Sequence, residues 1–568
     1  MISRAVAGAR KKGVGLLGRR ALSENVIVKS RFEMPWASPD KRELTLSLPQ
    51  YLLETIPDTG DDKTALVDGT DVSKEYGFSA LKRSTMSFAA SLQHLGIGHG
   101  DVVGILSPND INYFTAFHGI GLTGAASTTV NPTYTEEEID YQLGVTEAKA
   151  VIVHPSQLEK VAPIVTKRKL LVISLGNEVP NIAGKGLVMG ELLKDSVSLD
   201  SLPHISPDSV MTIPFSSGTT GKPKGVMLTH NNLVCNTMQS MVLEGNNLKN
   251  GGVLSIPLPF FHIYGMMVGL CVPIAARAKT VLMPQFDLQK YLEIIQEHKV
   301  TRSAIVPPII LALAKHPMVD NYDLSSLKGI MSGAAPLGSE IQKQCAQRLG
   351  CVVKQAWGMT EISPCGAITP DEECGDIDFI LGKSGLLAPL TEAKIVDVEN
   401  GEDLPCTSEG ELMIRGPQVM KGYFKNEEAT KNTIRPDGWM HTGDIAKFDQ
   451  DGWLIITDRS KELIKYKGLQ VAPAELEAIV GSMKAVKDCV VIPVLDDEAG
   501  ELPRAYVVKQ DDEESQKLTA GEVVEFVQSK VAQHKRLRGG VRFTNEIPKS
   551  ASGKILRRVQ IQLDRAEN

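Results

Sequence analysis

The chain lacks most of the features that would place it in a specialised class. None of its eight cysteines forms a C-x-x-C pair, which argues against a zinc site or disulfide framework and fits a reducing compartment. The longest apolar run, residues 263–276, contains Pro273 and is shorter than the roughly 20 residues that a membrane span needs. Basic residues are not in excess: 61 Lys and Arg stand against 68 Asp and Glu, a formal charge of −7. That leaves no electrostatic footprint for nucleic acid. No G-x-G-x-x-G follows a predicted strand, against a dinucleotide-binding dehydrogenase, and the G-x-S-x-G elbow of a serine hydrolase is missing. Internal repeats and low-complexity segments are absent too.

What remains is the composition of a globular enzyme, 42% hydrophobic and 23% charged over 568 residues, long enough for two or more domains with their own cores. Apolar runs at 102–106, 150–153, 170–174, 279–283 and 302–306 alternate with helical patterns such as 288–298 and 338–349. This alternation predicts βαβ units and mostly parallel sheets. From about Glu392 the pattern changes to short strand-like runs separated by Asn400-Gly401, Asp437-Gly438 and Asp451-Gly452, turn pairs that suit positive φ. A helix-like 472–480 and an apolar 489–494 then predict a small α+β unit. The expected fold is α/β: a large N-terminal domain (26–459) of α/β sheets plus a β-rich subdomain, and a small mobile C-terminal domain (460–568).

Residues 1–25 stand apart. Arg4, Arg10, Lys11, Lys12, Arg19 and Arg20 interleave with apolar residues, and no acid precedes Glu24. This is the pattern of a mitochondrial transit peptide; a basic tail on a cytoplasmic protein is the alternative reading.

The segment Ser216-Ser217-Gly218-Thr219-Thr220-Gly221-Lys222-Pro223-Lys224-Gly225 carries the clearest chemistry. Its glycines let a backbone approach a ligand closely, its hydroxyls and amides donate hydrogen bonds, and its lysines supply charge. These are the parts of a polyphosphate cradle, although the spacing is not that of a Walker A loop. Further along come Phe261-His262-Ile263-Tyr264-Gly265, Ser332-Gly333-Ala334-Ala335-Pro336-Leu337-Gly338, Gln355-Ala356-Trp357-Gly358-Met359-Thr360-Glu361, His441-Thr442-Gly443-Asp444, a basic stretch from Asp458 to Pro473, and Pro548-Lys549-Ser550-Ala551-Ser552-Gly553-Lys554.

Together, in this order, these segments resemble the motif set of the adenylate-forming superfamily of acyl-CoA synthetases, luciferases and peptide-synthetase adenylation domains. The texture is nearest to the 4-coumarate:CoA ligase-like branch, and the likeness runs from about Arg31 to Arg558. The resemblance implies a carboxylic acid:CoA ligase that forms an acyl-adenylate from ATP and passes the acyl group to coenzyme A. Catalysis of that reaction gathers positive charge around the α-phosphate as its geometry changes.

By the same resemblance, Lys554 bridges the acid and the α-phosphate, and His262 sits at the acyl–phosphate junction. Glu361, with Thr219 or Thr220 assisting, is the magnesium ligand. The nucleotide falls to Ser216–Lys222, Lys224, Gly333, Ala334, Ala335, Pro336, Gln355, Trp357, Gly358, Met359, Thr360, Asp444 and Arg459. Trp357 stands where Tyr is commoner, and it keeps the face that stacks on adenine. Tyr264, Ser332, Pro364 and Cys365 fall at acyl-pocket positions, and Ala356, in place of a usual Gly, narrows that pocket. For thioester formation the small domain turns about Lys461, which brings Lys465, Gly468 and Gln470 to the adenylate and coenzyme A. Gln285 departs from the plant pattern, where a Lys touches coenzyme A.

The expected acid is medium-chain fatty or aromatic, with a place in fatty acid metabolism if the transit peptide acts. Two other readings stay open: an adenylation enzyme that serves a carrier protein, and a luciferase-like oxygenase. Fourteen residues follow Lys554, so no fused carrier domain is expected. No transmembrane segment and no nucleic-acid partner are expected either.

Overall fold

Strands buried along their whole length form the centre of the molecule, as Val102–Leu106 and Ala150–Val153 illustrate. Such continuous apolar strands belong in parallel sheets covered on both faces. The computed structural model describes residues 26–567 except 35–44, 55, 62, 178–185, 194–200, 217–222, 245–247, 249–250, 376, 460–461, 467–468, 497–498, 532 and 551–552, and except the side chains of 372, 459 and 470. The segment read as a transit peptide lies outside the described residues.

The described residues form four sheets. One nine-stranded sheet runs from Phe215–Ser216 through Lys224–Thr229, Val210–Thr212, Ala126–Val130, Val102–Leu106, Ala150–Val153 and Leu171–Ser174 to Gly186–Val188, with Gly422–Tyr423 paired beside Lys224–Thr229. A second nine-stranded sheet contains the parallel series Val352–Gly358, Gly329–Ser332, Arg302–Ile305, Val253–Ile256, Lys279–Leu282 and Thr64–Asp68. The third sheet is antiparallel and includes Glu392–Val396, Gly410–Arg415, Met440–Phe448 and Leu454–Arg459. The fourth pairs Val486–Asp496 with Gly500–Lys509 and carries the hairpin Ile464–Tyr466/Leu469–Val471. The third sheet thus ends at Arg459 and the fourth begins at Ile464. The result is the mixed α/β architecture with a large first unit and a small second one.

Local chemistry explains the element ends. Asp287 accepts a hydrogen bond from the Lys290 amide and starts the helix Leu288–His298. Thr229 and Asn232 form a reciprocal capping box at the head of His230–Leu243. Gly401, Gly438 and Gly452, second residues of the three turn pairs, all take positive φ. The apolar run 263–276 folds as the helix Ile263–Met266, a π-turn over Met267–Cys271, and the helix Val272–Ala276, buried among the sheets. No helix among the described residues is long and apolar enough to cross a membrane.

Candidate active site

A cavity of about 670 Å³ lies where the two large sheets, the antiparallel sheet and the C-terminal unit meet. Most of the motifs reach it, but no described residue of the stretch from Asp458 to Pro473 lines it. Ser216 closes one strand and Lys224 opens the next. The two are paired in register and both face the cavity. Ser216 and Lys224 thus place the two ends of the expected phosphate cradle at the cavity; Ser217, Gly218, Thr219, Thr220, Gly221 and Lys222 lie outside the described residues.

His262 caps the short helix Ile263–Met266, its Nδ1 accepting from the Tyr264 amide at 3.2 Å. Burial, helped by the positive charge of Lys554, lowers the imidazole to about 4. A neutral ring whose Nδ1 accepts carries its proton on Nε2, so His262 can donate to a carboxylate without adding charge. Lys554 enters the same cavity from the C-terminal unit, beside Ser550. The two residues expected at the reacting atoms are thus together.

Glu361 is a buried carboxylate on the cavity wall. Its Oε1 accepts from the Tyr423 hydroxyl at 2.9 Å, and its backbone carbonyl accepts from the Met420 amide. Burial, followed by the proximity of the Glu361 carboxylate, raises the Tyr423 phenol, so Tyr423 stays a donor. Lys224 Nζ lies 4.9 Å above the centre of the same tyrosine ring. No group of three or more His, Cys, Asp or Glu is placed to hold a metal among the described residues. One hard carboxylate oxygen nevertheless suits a cation whose other ligands are phosphate oxygens and water.

Trp357 and Asp444 form a unit. The indole Nε1 donates to Oδ2 of the nearly buried Asp444 at 2.8 Å. Asp444 stands opposite Arg459 across the strand pair, although the Arg459 side chain is not described. Gly358 has no room for a side chain, because a Cβ would lie 2.1 Å from the Pro364 carbonyl oxygen. Ala334 adopts φ +69, a left-handed conformation that a residue with a Cβ seldom takes.

The acyl-pocket positions and the remaining nucleotide positions divide. Tyr264, Gly333, Pro364 and Cys365 line the cavity. Tyr264 donates to the Met331 carbonyl at 3.2 Å, and a Cβ on Gly333 would lie 2.9 Å from its ring. Ser332, Ala335, Pro336 and Gln355 are not on the cavity wall. The Ser332 hydroxyl is buried without a hydrogen-bond partner. Gln355 holds the neighbouring loop, bonding the Leu337 carbonyl and the Gln342 side chain. Met359, Thr360 and Gly358 do reach the cavity. Lys465 and Gln470 pair in register on the hairpin of the C-terminal unit. Lys465 is exposed and away from the cavity, and the Gln470 side chain, Lys461 and Gly468 are not described.

The motifs did not include a charged part of the pocket wall formed by Lys354, Glu244 and Arg302. There Lys354, 1% exposed, lies 2.9 Å from Glu244 Oε1 and 2.8 Å from Asp371 Oδ1, and Arg302 clasps Asp371 through both guanidinium nitrogens. Burial pulls Lys354 down, but the two carboxylates outweigh it and raise its affinity for the proton. The group balances two cations against two anions, the arrangement that a buried charge needs. One signal existed: a lysine within the otherwise apolar strand that leads into Gln355-Ala356-Trp357. Tyr423 carried no such signal, since it meets Glu361 only through the fold.

Known proteins resemble this chain over most of its length. Residues 53–424 match the model of the AMP-binding enzyme family, and 475–554 match the AMP-binding enzyme C-terminal domain. The chain is 40% identical over 516 residues to 4-coumarate–CoA ligase 1 of Petroselinum crispum, covering 90% of this chain and 93% of that one. It is likewise 40% identical over 516 residues to 4-coumarate–CoA ligase of Pinus taeda, covering 90% and 94%. Among solved structures, ATP-bound MatB from Rhodopseudomonas palustris superposes with a TM-score of 0.80 at 26% identity, covering 91% of this chain and 99% of that one.

Proposed function

Because the chain belongs to the AMP-binding enzyme family, we propose that it activates a compact aromatic acid in preference to a medium-chain fatty one. The enzyme is an acid:CoA ligase that forms acyl-CoA thioesters through an adenylate. A carboxylate oxygen of the acid attacks the α-phosphorus of ATP and pyrophosphate leaves. The sulfur of coenzyme A then attacks the acyl carbon, its proton passes to solvent, and AMP leaves. His262 Nε2–H and the Lys554 ammonium bear on the first step, where charge collects between acid and phosphate.

The observation that carries the preference is the ion network of Lys354, Glu244, Asp371 and Arg302, of which Lys354, Glu244 and Arg302 line the pocket. A flexible aliphatic tail would lie against charged groups that it cannot solvate. A compact flat acid suits the wall that Tyr264 and Met331 share with this network, and a polar group on its ring finds partners there. The names of the parsley and pine relatives, 4-coumarate–CoA ligases, support the same class. A magnesium ion is part of this reading: when bound, it neutralises phosphate charge, and Glu361 is the residue that would hold it.

A panel of benzoic, phenylpropenoic and C6–C12 straight-chain acids, assayed for coenzyme A-dependent AMP release, tests the assignment. Higher kcat/KM for a phenylpropenoic or benzoic acid than for any straight-chain acid is expected; octanoate or decanoate ahead of every aromatic acid would overturn it. We also place the enzyme in mitochondria on the basic, acid-free residues 1–25. A fluorescent fusion of residues 1–30 that stays diffuse in the cytosol would remove that assignment.

A further inference from the structure

The C-terminal unit touches the large domain through both ends of one helix. Pro307–Lys315 begins after Val306, where a Cβ on Gly553, next to Lys554, would lie 2.9 Å from the valine side chain. Its last residue, Lys315, reaches into the C-terminal unit. There Nζ donates to the carbonyl oxygens of Gly481, Met483 and Val486, each at 3.0 Å. An ammonium has three donors, and all three are used.

Those acceptors surround the end of the helix Pro473–Gly481. Terminal carbonyls have no partners within a helix, and the negative end of its dipole favours a cation. This helix has no basic residue in its own last turn. The missing cation comes from the other domain. Burial lowers Lys315 to about 8, a cost that the carbonyls offset. The opposite end of the same helix is tied as well: the Ala474 amide donates to Oδ2 of Asp458, on the last strand of the large domain's antiparallel sheet. Midway, a Cβ on Gly338 would lie 3.1 Å from Ala478 Cβ.

We propose that Lys315 is a positioning residue for adenylation: by capping a helix of the other domain, it fixes the orientation that delivers Lys554 to the cavity. Gly553 and Lys315 make their contacts at the two ends of one nine-residue helix, about 13 Å apart at 1.5 Å per residue. One contact would leave the C-terminal unit free to pivot; two separated contacts set its angle. The turn that the resemblance implies, bringing the Lys465 hairpin to the cavity, would require this cap to break. Lys315 therefore favours the first half-reaction over the second. The inference rests on the adenylation reading.

Lys315→Met keeps the apolar stem and removes the donors; Lys315→Arg restores a charged donor. Each is compared with the wild-type full chain in two half-reactions and by hydrogen exchange. For Lys315→Met, acid-dependent ATP–pyrophosphate exchange should fall at least fivefold. Conversion of a supplied acyl-adenylate and coenzyme A to thioester should stay within twofold, and Lys315→Arg should recover part of the exchange. Amides of the segment 473–486 should exchange at least fivefold faster, with 520–528 unchanged. Unaltered pyrophosphate exchange together with unaltered amide exchange at 473–486 would overturn the proposal, and so would equal loss of both half-reactions. If the wild type forms no adenylate from any acid, the activity reading fails by itself, and the amide exchange still decides whether Lys315 holds the domains together.

Discussion

Trp357 Nε1 donates to Asp444 Oδ2 at 2.8 Å, which joins the ring expected to face adenine to the carboxylate expected to hold the ribose. A tyrosine at this place has no N–H in the same position, so the substitution adds a brace between two nucleotide contacts. The brace also occupies one carboxylate oxygen.

Two substitutions at this residue therefore separate two effects. Trp357→Phe keeps an aromatic face and loses the bond to a charged partner, worth about 1.5–3 kcal/mol; KM for ATP should rise about tenfold. Trp357→Ala also loses stacking, roughly 1–3 kcal/mol, and should raise KM by about one to two further decades. Steady-state kinetics with varied ATP measures both, and an unchanged KM in the alanine variant would show that Trp357 only packs the core.

Lys554 lines the cavity while the Lys465 hairpin does not. Lys554→Ala should abolish acid-dependent pyrophosphate exchange and still convert a supplied acyl-adenylate to thioester. Equal loss of both half-reactions would contradict separate roles for the two lysines.

The Tyr423 hydroxyl orients Glu361 at 2.9 Å. Tyr423→Phe leaves the ring beneath Lys224 and removes one hydrogen bond, about 1 kcal/mol. The magnesium concentration for half-maximal adenylation should rise about fivefold, with little change in the KM for the acid. A titration identical to wild type would remove Glu361 from the metal assignment.

Acid should unfold the protein through its interior histidines. Burial lowers both His118 and His230 to about 3, against an ordinary value near 6.5. The unfolded chain takes up these protons first, so stability present above pH 6.5 is lost as the pH falls toward 3. The loss by pH 5 is about 2 kcal/mol for each. Calorimetry between pH 7.5 and 4.5 should show a falling Tm. The double variant His118→Gln/His230→Gln should fall less steeply, and parallel curves would rule these groups out.

Much of this architecture was legible because its signals are local. The strand Val102–Leu106 and the helix Leu288–His298 coincide with runs read from hydrophobic period alone, and the turn glycines took the backbone angles that their pairs imply. Motif residues at element ends, such as His262 and Glu361, were equally visible. Lys354 finds its partners 110 residues away at Glu244 and 17 away at Asp371, across the sheet and its covering helix, and Lys315 finds its carbonyls more than 160 residues away. Such pairings exist only after folding, and no period or spacing announces them. The π-turn inside the run 263–276 was hidden for a related reason: composition there is uniformly apolar, so nothing marks the irregular turn.

Cys365 stands on the wall of the cavity that also holds His262 and Lys554, the residues expected at the mixed anhydride. Burial, with Glu244 nearby, pushes its thiol up to about 12, so at neutral pH almost none of it is thiolate, the form that attacks acyl groups. An ionised sulfur on that wall would be a second nucleophile beside the thiol of coenzyme A. Keeping the resident thiol protonated leaves the incoming one unrivalled.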